Sequence, residues 1–374
     1  MHDFPRRVRR TRLDPSIFSL PVEKMRDGYY SDMYFNRSRA ILELDNHHPR
    51  VRMQVFQRTN AVVCGLDEAL AILKLCSGRR TDDGEWIDGW ADMHVAALYD
   101  GDRTEPYETV LTIEGDYALF AHLETCYLGV LSRRTRIATN ARAIIDAARG
   151  KTVLFFPARF DHHLVQTGDG YAAYISGALG VSTDANAEWW GAHGMGTVPH
   201  SLIAAYGGDT VLATKKFADY MTDDLHLIAL VDYDNDCVRT AVEVARALGD
   251  RLWGVRLDTS GTMVDRSLWE SMGTFTPTGV TPQLVRNVRS ALDAEGFSEV
   301  HIVVSGGFNP ARISNFERLR VPVDAYAVGS AFFAESGAYD FTADIVAIES
   351  DGQWRECHKV GRPERPNPRL VSVT

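Results

Sequence analysis

Five short, nearly continuous apolar runs occupy the second half of the chain and predict buried strands. They are Thr152–Phe156, Leu225–Tyr233, Leu252–Thr259, Val300–Ser305 and Val323–Val328. A strand covered on both faces needs apolar side chains at consecutive positions, whereas a half-exposed strand alternates apolar with polar ones. The runs therefore indicate strands of a parallel sheet that is covered by helices.

Amphipathic helices are predicted between these strands. The apolar residues from 238 to 248 share one helical stripe that Gly249 ends, and the same spacing from 284 to 292 is ended by Gly296. Pro310 stands where a third helix begins. Strands and helices that alternate in this way form right-handed βαβ units, so residues 150 to 335 are expected to hold a parallel sheet. The periodicity leaves open whether that sheet is a barrel or doubly wound.

The first third of the chain has a mixed pattern that predicts an α+β domain. Its strand-like stretches are Val51–Gly65, His94–Tyr99 and Thr109–Glu114, and its helical patterns cover Leu66–Leu75 and residues 117–149. Near the other end of the chain, two further strand-like stretches flank an Asp-Gly pair, which supports the positive φ values of a type I′ turn. That hairpin, Asp344–Ile348 with Gln353–His358, is expected to join the N-terminal domain.

The composition of the 374 residues is that of an ordinary folded protein, with 45% hydrophobic and 24% charged residues. No apolar run reaches the roughly 18 residues that a membrane-spanning helix needs. The net charge of -10 argues against nucleic-acid binding. Five scattered cysteines without a C-x-x-C pair indicate reduced thiols in a cytoplasmic protein. The arginine-rich start, with no apolar run after it, is expected to be a solvated basic arm rather than a secretory signal.

Two glycine-containing loops follow successive strands and favour phosphate binding. Ser305-Gly306-Gly307 comes directly after one predicted strand, and Gly329-Ser330 comes directly after the next. Glycines at the carboxyl ends of parallel strands let backbone N–H groups approach a phosphate closely, and in barrels the last two such loops recurrently bind one. Either loop alone would be explained as a turn, but the pair favours a phosphate site.

Charged residues also end a third predicted strand. Arg256 and Asp258 lie at the end of an apolar run, where a buried strand tolerates charge only if the side chains face a polar site or pair with each other. We expect ligand contacts there, with an internal ion pair as the alternative. Asp232, Asp234 and Asp236 follow another strand. They are consistent equally with contacts to Mg²⁺ or ribose hydroxyls and with an exposed loop.

The segment from 196 to 201 places a histidine at the start of a predicted helix. Thr197 is expected to cap that helix and Pro199 to lie in its early turn, so that His200 falls in the first turn. The positive end of the helix dipole would keep the imidazole neutral and nucleophilic. The residues alone do not distinguish a catalytic from a structural histidine.

Arg159 and Phe160 follow the first strand of the second half and suit a planar carboxylated ring. A guanidinium can bind the carboxylate while a phenyl ring stacks on the ring plane. A surface arginine next to a core phenylalanine is an equal alternative. The adjacent His162 and His163 cannot easily share one metal ion, so no metal ligands are assigned.

Taken in order, these motifs resemble those of nicotinate phosphoribosyltransferases, the type II phosphoribosyltransferases. The resemblance runs from about residue 25 to residue 362. The matching pieces are Ser31-Asp32-Met33-Tyr34-Phe35, Gly65-Leu66-Asp67-Glu68-Ala69-Leu70, Leu123-Glu124-Thr125-Cys126-Tyr127-Leu128-Gly129, Ala158-Arg159-Phe160, residues 177–183, Gly196-Thr197-Val198-Pro199-His200, Val255-Arg256-Leu257-Asp258-Thr259, Ser305-Gly306-Gly307 and Val328-Gly329-Ser330. After Thr259 this chain departs from the family, since the arginine that relatives often have within a few residues is absent before Arg266.

The resemblance implies an α/β fold, an irregular TIM-like α/β barrel with an N-terminal α+β domain that the C-terminal segment rejoins. The implied boundaries are a basic arm at 1–14, the N-terminal domain at 15–150, the barrel at 151–335 and the returning hairpin at 336–374. It also implies a homodimer whose active sites are shared between the two subunits.

Residue roles follow from the resemblance as well. His200 matches the histidine that ATP phosphorylates, and it is grouped with Arg256 and Asp258 as catalytic. Tyr34, donated across the dimer, and Phe160 would sandwich the pyridine ring. Arg159, Thr197 and Arg256 would hold the nicotinate carboxylate or the neighbouring ribose. The 5′-phosphate would bind the two glycine loops, formed by Ser305, Gly306, Gly307, Gly329 and Ser330.

The implied reaction transfers a 5-phosphoribosyl group from phosphoribosyl pyrophosphate (PRPP) to the ring nitrogen of nicotinate. Its products would be nicotinate mononucleotide and pyrophosphate, with ATP as co-substrate and Mg²⁺ as cofactor. The partners expected are therefore nicotinate, PRPP and ATP, with no nucleic acid and no membrane. The alternatives are transfer to a related pyridine such as quinolinate or nicotinamide, and a non-catalytic sensor of a phosphate metabolite.

Overall fold

The computed structural model describes residues 11–221, 226–334, 337 and 339–374. Contacts within the chain divide it into two compact units. The first comprises Met1–Thr139 together with Glu335–Thr374, and the second comprises Asn140–Ala334. The first unit is thus assembled from both ends of the chain.

The strands of both units are numbered here in chain order. They are β1 (Arg50–Phe56), β2 (Ala61–Val62), β3 (Gly78–Arg80), β4 (Trp86–Asp88), β5 (His94–Ala97), β6 (Arg103–Thr104), β7 (Thr109–Asp116), β8 (Thr152–Phe155), β9 (Gly180–Val181), β10 (Ile228–Leu230), β11 (Gly254–Leu257), β12 (His301–Val304), β13 (Ala325–Val328), β14 (Thr342–Ser350), β15 (Gln353–Glu356) and β16 (Val371–Ser372).

The α-helices are numbered in the same way. They are α1 (Val22–Arg26), α2 (Met33–Leu44), α3 (Leu66–Cys76), α4 (Glu124–Ala147), α5 (Gln166–Ile175), α6 (Asp184–Ala187), α7 (His200–Ala205), α8 (Thr210–Tyr220), α9 (Cys237–Leu248), α10 (Pro282–Ala294) and α11 (Pro310–Arg318). Within the described residues, no helix is long and apolar enough to cross a lipid bilayer.

The first unit is built on an antiparallel sheet with strand order β15-β14-β1-β7-β5-β16. The predicted hairpin forms between β14 and β15, and its turn residues Asp351 and Gly352 have φ values of 55° and 73°. These positive values are those of a type I′ turn, for which the Asp-Gly pair is suited. Because β14 pairs with β1, the C-terminal segment contributes a central strand to this sheet.

Two expectations for the first unit need correction. Arg12 does not lie in a solvated arm. Its guanidinium donates to Asp67 Oδ1 at 3.0 Å and to the carbonyls of Ala97 and Leu98. The Asp67 carboxylate at the start of α3 is buried and therefore needs a cationic partner.

The helix predicted over residues 117–149 is also shorter in the structure. Two 3₁₀ turns cover most of residues 117–123 before α4 begins. Residues 1–10 of the expected arm lie outside the described residues.

The second unit contains a parallel sheet with strand order β10-β11-β12-β13-β8-β9. The five predicted strands are all present as β8, β10, β11, β12 and β13, each shorter than its apolar run. The predicted helices are found as α9, α10 and α11, and Gly249 and Gly296 follow their helices with φ values of 53° and 85°. Leu225, the first residue of one predicted strand, lies outside the described residues.

An irregular segment joins the two edges of this sheet. The amide of Met195 donates to Val181 of β9 at 2.6 Å, and the amide of Val198 donates to Ile228 of β10 at 3.4 Å. Residues 195–198 therefore lie between the edge strands and close the curled sheet. The prediction of an irregular α/β barrel is confirmed, and the alternative of a doubly wound sheet is wrong.

The geometry of a parallel sheet brings the functional candidates to one rim. All strands of the barrel run in the same direction, so the residues that follow each strand emerge at the same end. Apolar side chains fill the interior below that rim, namely Leu154, Ile228, Val303, Ala325 and Ala327. The carboxyl rim is therefore the polar end at which a ligand can bind above a packed core.

Candidate active site

His200 and Asp232 form a pair at the carboxyl rim of the barrel, in which only the carboxylate is buried. His200 is the first residue of α7, and its Nε2 lies 3.0 Å from Oδ1 of Asp232, which follows β10 closely. The Asp232 side chain is 7% exposed, and that of His200 is 46% exposed. Burial raises the pKa of Asp232, and the neighbouring His200 opposes this shift. Nδ1 of His200 has no hydrogen-bond partner within the described residues, so it remains available to a ligand.

The sequence did not decide whether Asp232, Asp234 and Asp236 contact a ligand. In the structure, Asp234 and Asp236 have structural roles. Asp234 pairs with the Arg239 guanidinium at 2.7 Å. Asp236 accepts a hydrogen bond from the Arg239 amide and thereby caps α9. Asp232 differs from the other two in its position along the chain. It is the first carboxylate after β10 and is therefore nearest to the rim.

Arg256 at the end of β11 links two further candidates. Its Nη1 donates to the hydroxyl of Thr197 at 2.7 Å, and its Nη2 lies 3.7 Å from Oδ2 of Asp258. Burial lowers the pKa of Arg256, while Asp258 and Asp232 counteract this effect and the nearby Arg159 adds to it. Arg256, Asp258, Asp232 and Arg159 are therefore close enough to influence one another electrostatically.

Thr197 does not cap a helix, contrary to the expectation from its sequence. Helix α7 begins only at His200, Pro199 occupies the capping position, and no side chain caps this end. Thr197 belongs instead to the segment that closes the barrel, and there its hydroxyl accepts the Arg256 hydrogen bond. A threonine caps a helix only when it directly precedes the first helical residue, and Thr197 lies two residues before the capping position.

Ser305 supports Asp258 rather than offering donors to a phosphate. Its hydroxyl lies 2.8 Å from Oδ1 of Asp258 and 3.2 Å from the carbonyl of Leu257, and its amide donates to Leu257. Both of its hydrogen-bond donors are therefore engaged by the protein. Asp258 is thereby held between the Ser305 hydroxyl and the Arg256 guanidinium.

The two glycines after Ser305 present backbone donors at the rim. Gly306 and Gly307 have φ values of +85° and +74°, which a residue with a side chain rarely adopts. A Cβ atom on Gly306 would lie 3.3 Å from Oδ1 of Asp258. The amide nitrogens of Gly306, Gly307, Gly329 and Ser330 have no hydrogen-bond acceptor within the described residues. Free N–H groups in two neighbouring loops form an arrangement that binds anions.

Phe160 packs directly on one of these loops. A Cβ atom on Gly329 would lie 2.8 Å from the Phe160 ring, so only glycine permits this approach. The Arg159 guanidinium lies 5.6 Å from the centre of the same ring, and Phe160 remains 51% exposed. Arg159 forms no ion pair with any described residue. The rim therefore combines an exposed aromatic face with an uncommitted cation, and the alternative of a core phenylalanine is wrong.

Comparisons with known proteins identify the family. The sequence model described as the N-terminal domain of quinolinate phosphoribosyl transferase matches residues 32–135. The crystal structure of nicotinate-nucleotide pyrophosphorylase from Pyrococcus furiosus is 33% identical, has a TM-score of 0.76, and covers 95% of this chain and 85% of its own. The chain belongs to the type II phosphoribosyltransferases. The resemblance read from the motifs is therefore confirmed.

Two curated relatives are both named nicotinate phosphoribosyltransferase, and they match this chain over different lengths. A nicotinate phosphoribosyltransferase of Mycobacterium tuberculosis is 28% identical over 270 residues, which are 71% of this chain and 54% of the relative. One of Bacillus subtilis is 25% identical over 364 residues, which are 91% of this chain and 68% of the relative. This chain thus spans about half the length of the first relative and about two thirds of the second.

Tyr34, the remaining candidate of the family pattern, belongs to the first unit. It lies in the first turn of α2, is 61% exposed, and its hydroxyl is 3.4 Å from Oδ2 of Asp32. Asp32 is itself held by the Thr125 hydroxyl at 2.9 Å. No residue of α2 is buried. Large exposed apolar side chains occur along α2 and just before it, namely Tyr29, Met33, Ile41 and Leu44.

A cavity of about 570 Å³ lies at the opposite rim of the barrel, away from the candidate site. There Trp253 stacks between His226 and His301, with ring centres 4.7 and 4.3 Å apart. Ligands of parallel α/β folds bind at the carboxyl ends of the strands, where the glycine loops and His200 lie. Among the described residues, no group of three or more His, Cys, Asp or Glu side chains could hold a metal ion.

Proposed function

We propose that this chain transfers a 5-phosphoribosyl group from PRPP to the ring nitrogen of nicotinate, releasing nicotinate mononucleotide and pyrophosphate. The observation that carries the proposal is the carboxyl rim itself, where free glycine amides lie beside an exposed aromatic ring and an unpaired guanidinium. The names of the curated relatives from Mycobacterium tuberculosis and Bacillus subtilis support the same activity.

The acceptor would bind at Arg159 and Phe160. The Phe160 ring gives a flat apolar face for a pyridine, and the Arg159 guanidinium can form two parallel hydrogen bonds with one carboxylate. Quinolinate carries a second carboxylate that needs a further cation. The other guanidinium near this place, Arg256, is already engaged by Thr197 and Asp258. The site therefore suits a monocarboxylate better than a dicarboxylate.

The donor would lie across the glycine loops and the Asp258 carboxylate. Amides of Gly306, Gly307 and Gly329 would receive the 5′-phosphate. Mg²⁺ usually binds through one or two carboxylates together with substrate phosphates, and Asp258 with the nearby Asp232 fits this requirement. When bound, Mg²⁺ would neutralise charge on the departing pyrophosphate.

The transfer breaks the bond between C1′ and the pyrophosphate oxygen and forms the bond between C1′ and the pyridine nitrogen. No proton has to move, because the attacking nitrogen uses its lone pair and pyrophosphate leaves as an anion. The protein therefore positions the two reactants and stabilises charge. Positive charge that develops on the ribose would be stabilised by Asp258 and Asp232, which lie close to the Arg256 guanidinium.

ATP would act through His200. Asp232 accepts a hydrogen bond from Nε2–H of His200, and this tautomer leaves the Nδ1 lone pair free to attack the γ-phosphorus of ATP. The bond between Nδ1 and phosphorus forms as the bond to ADP breaks. The imidazole then carries positive charge, which the adjacent Asp232 carboxylate stabilises.

A second copy of the chain would complete the site. The exposed face of α2 presents Tyr34 among apolar side chains, and such a patch is typical of an interface. In a homodimer the partner's Tyr34 would cover the pyridine ring that rests on Phe160. The free cysteines of the described residues fit a cytoplasmic enzyme, and the net charge of -10 fits one that binds no nucleic acid.

A panel of acceptors tests the proposed function. The chain is incubated with PRPP, Mg²⁺ and nicotinate, quinolinate or nicotinamide, each with and without ATP, and released pyrophosphate and nucleotide are measured. Nicotinate should give the highest kcat/KM, with ATP hydrolysed during turnover. Preferred release of CO₂ from quinolinate would favour the activity named in the matching family model. Absence of pyrophosphate release with every acceptor would refute transferase activity and favour a phosphate-metabolite sensor.

A further inference from the structure

Arg312 binds the backbone of the glycine loop that contains Gly306 and Gly307. It lies in the first turn of α11, immediately after the loop, and its Nη1 donates to the carbonyl of Gly306 at 2.6 Å. Its Nη2 donates to the carbonyl of Val280, also at 2.6 Å. The guanidinium rests on the ring of Phe308, 4.2 Å from its centre. Both ends of the guanidinium fork and one of its faces are therefore fixed.

The two carbonyls that Arg312 joins belong to different loops of the rim. Gly306 lies in the loop after β12, whereas Val280 ends the long connection that starts at Asp258 after β11. The same two loops meet again where Ser305 donates to Asp258. Arg312 thus fixes the glycine loop relative to the connection that carries the Asp258 carboxylate.

The positive charge of Arg312 is not balanced by the protein. No carboxylate of the described residues pairs with it, whereas Arg256 has Asp258 and Asp232 nearby. Burial alone lowers the pKa of Arg312, but a guanidinium remains charged at neutral pH. Two carbonyls satisfy some of its N–H groups and leave the net charge in place. A half-buried cation without a counter-ion is stabilised when an anion binds close to it.

The Arg312 guanidinium lies next to the free amides of Gly306 and Gly307. A Cβ atom on Gly307 would lie 3.7 Å from Nη1 of Arg312, so the guanidinium lies directly against the loop. The amides of Gly306 and Gly307 have no acceptor within the described residues. Unsatisfied N–H groups and an unbalanced guanidinium in one loop are the two components of a site for a phosphate dianion.

We propose that Arg312 is a positioning residue for the phosphate monoester of the phosphoribosyl donor. It sets the conformation of the Gly306-Gly307 loop through the Gly306 carbonyl, and it supplies the charge that attracts the 5′-phosphate. This role rests on the proposed function for the identity of the donor, but the phosphate site itself does not depend on the acceptor.

Arg289 offers a matched control at the other end of the same sheet. Its Nη1 donates to the carbonyl of Val300 at 2.6 Å and its Nη2 to that of Phe297 at 2.7 Å, so it joins two carbonyls as Arg312 does. These carbonyls precede β12, at the rim that carries no glycine loop of the candidate site. A substitution at Arg289 therefore removes a similar link between two carbonyls, together with the Arg289–Asp293 ion pair, without changing the carboxyl rim.

The test compares Arg312→Lys, Arg312→Met and Arg289→Met in the full chain. Binding of ribose 5-phosphate is measured by calorimetry, KM for PRPP and for nicotinate by steady-state kinetics, and folding by thermal unfolding. Arg312→Met should weaken binding of ribose 5-phosphate and raise KM for PRPP by about 10- to 100-fold, since the positive charge beside the phosphate and the hydrogen bond that fixes the Gly306 carbonyl are both lost. KM for nicotinate should change less than about twofold. Lysine, which keeps the charge but not the fork, should restore part of the loss.

The outcomes separate the inference from the proposed function. The inference is overturned if Arg312→Met lowers only the unfolding temperature, as Arg289→Met should, while ribose 5-phosphate binding stays within about twofold of the wild type. It is also overturned if Arg312→Lys, correctly folded, shows the full loss. If the wild type binds ribose 5-phosphate but turns over no pyridine, the proposed function fails and the binding comparison still decides the role of Arg312.

Discussion

Replacing Asp232 by asparagine removes the negative charge beside His200 and keeps the size of the side chain. The carboxylate lies 3.0 Å from Nε2 and is 7% exposed, so solvent screens the interaction little. A hydrogen bond to a charged group contributes about 1.5–3 kcal/mol, and about 1.4 kcal/mol corresponds to a factor of ten. Since the charge matters most when the imidazole becomes positive, phosphorylation of His200 should slow by about 10- to 100-fold.

The assay follows transfer of labelled phosphate from ATP to the protein, together with ATP hydrolysis per nucleotide formed. Asp234→Asn is the matched control, because Asp234 lies two residues away and pairs only with Arg239 among the described residues. It should label at the rate of the wild type. Equal labelling of Asp232→Asn and the wild type would show that the carboxylate does not support His200. Labelling retained in His200→Ala would show that another residue receives the phosphate.

The same pair gives a pH dependence whose sign is fixed by burial. Burial raises the pKa of Asp232 above its ordinary value of 3.8. As the pH falls through this raised pKa, Asp232 takes up a proton and can no longer stabilise a positive imidazole. ATP coupling should therefore fall on the acid side at a pH higher than an exposed aspartate would cause. A profile of the Asp232→Asn variant that shows the same acid limb as the wild type would contradict this assignment.

Three further predictions follow from other contacts. Gly329→Ala places a methyl group 2.8 Å from the Phe160 ring and should raise KM for nicotinate several-fold, as steady-state kinetics would show. Ser305→Ala removes the hydroxyl that holds Asp258 and should lower kcat by about tenfold while the unfolding temperature changes little. Burial raises the pKa of Glu124 to about 8 from 4.5, so the folded chain holds a proton that the unfolded chain has lost between these values. Stability should fall as the pH rises across that window, and urea unfolding of Glu124→Gln should show a weaker dependence.

The barrel and its polar rim could be predicted because local patterns determine them. Continuous apolar runs are required wherever a strand is buried on both faces, and they located β8, β11, β12 and β13 without any knowledge of their neighbours. Glycines with positive φ leave an equally local signal, which is why the loop at Gly306 and Gly307 was visible. A parallel sheet then gathers the residues that follow its strands at one end.

The pairings within the rim depend on contacts between segments far apart in sequence. Asp232 is 32 residues from His200, and nothing near either residue indicates that they meet. Thr197 could be interpreted as a helix cap because its neighbours permit one, yet the closing segment uses it to bind Arg256. Ser305 similarly donates to Asp258 across 47 residues. Sequence patterns identify which residue types are present, whereas hydrogen-bond partners follow from the tertiary structure.

The overall acidity of the chain does not conflict with an anionic donor, because charge acts over short distances. At physiological ionic strength the screening length is about 8 Å, so exposed acidic residues farther than this from the rim contribute little there. What matters there is the local balance. Arg159 and Arg312 have no carboxylate partner among the described residues, and Arg256 lies close to Arg159 and to the carboxylates Asp258 and Asp232. Anions are therefore favoured at both ends of the site, and the carboxylates are concentrated where positive charge would develop on the ribose.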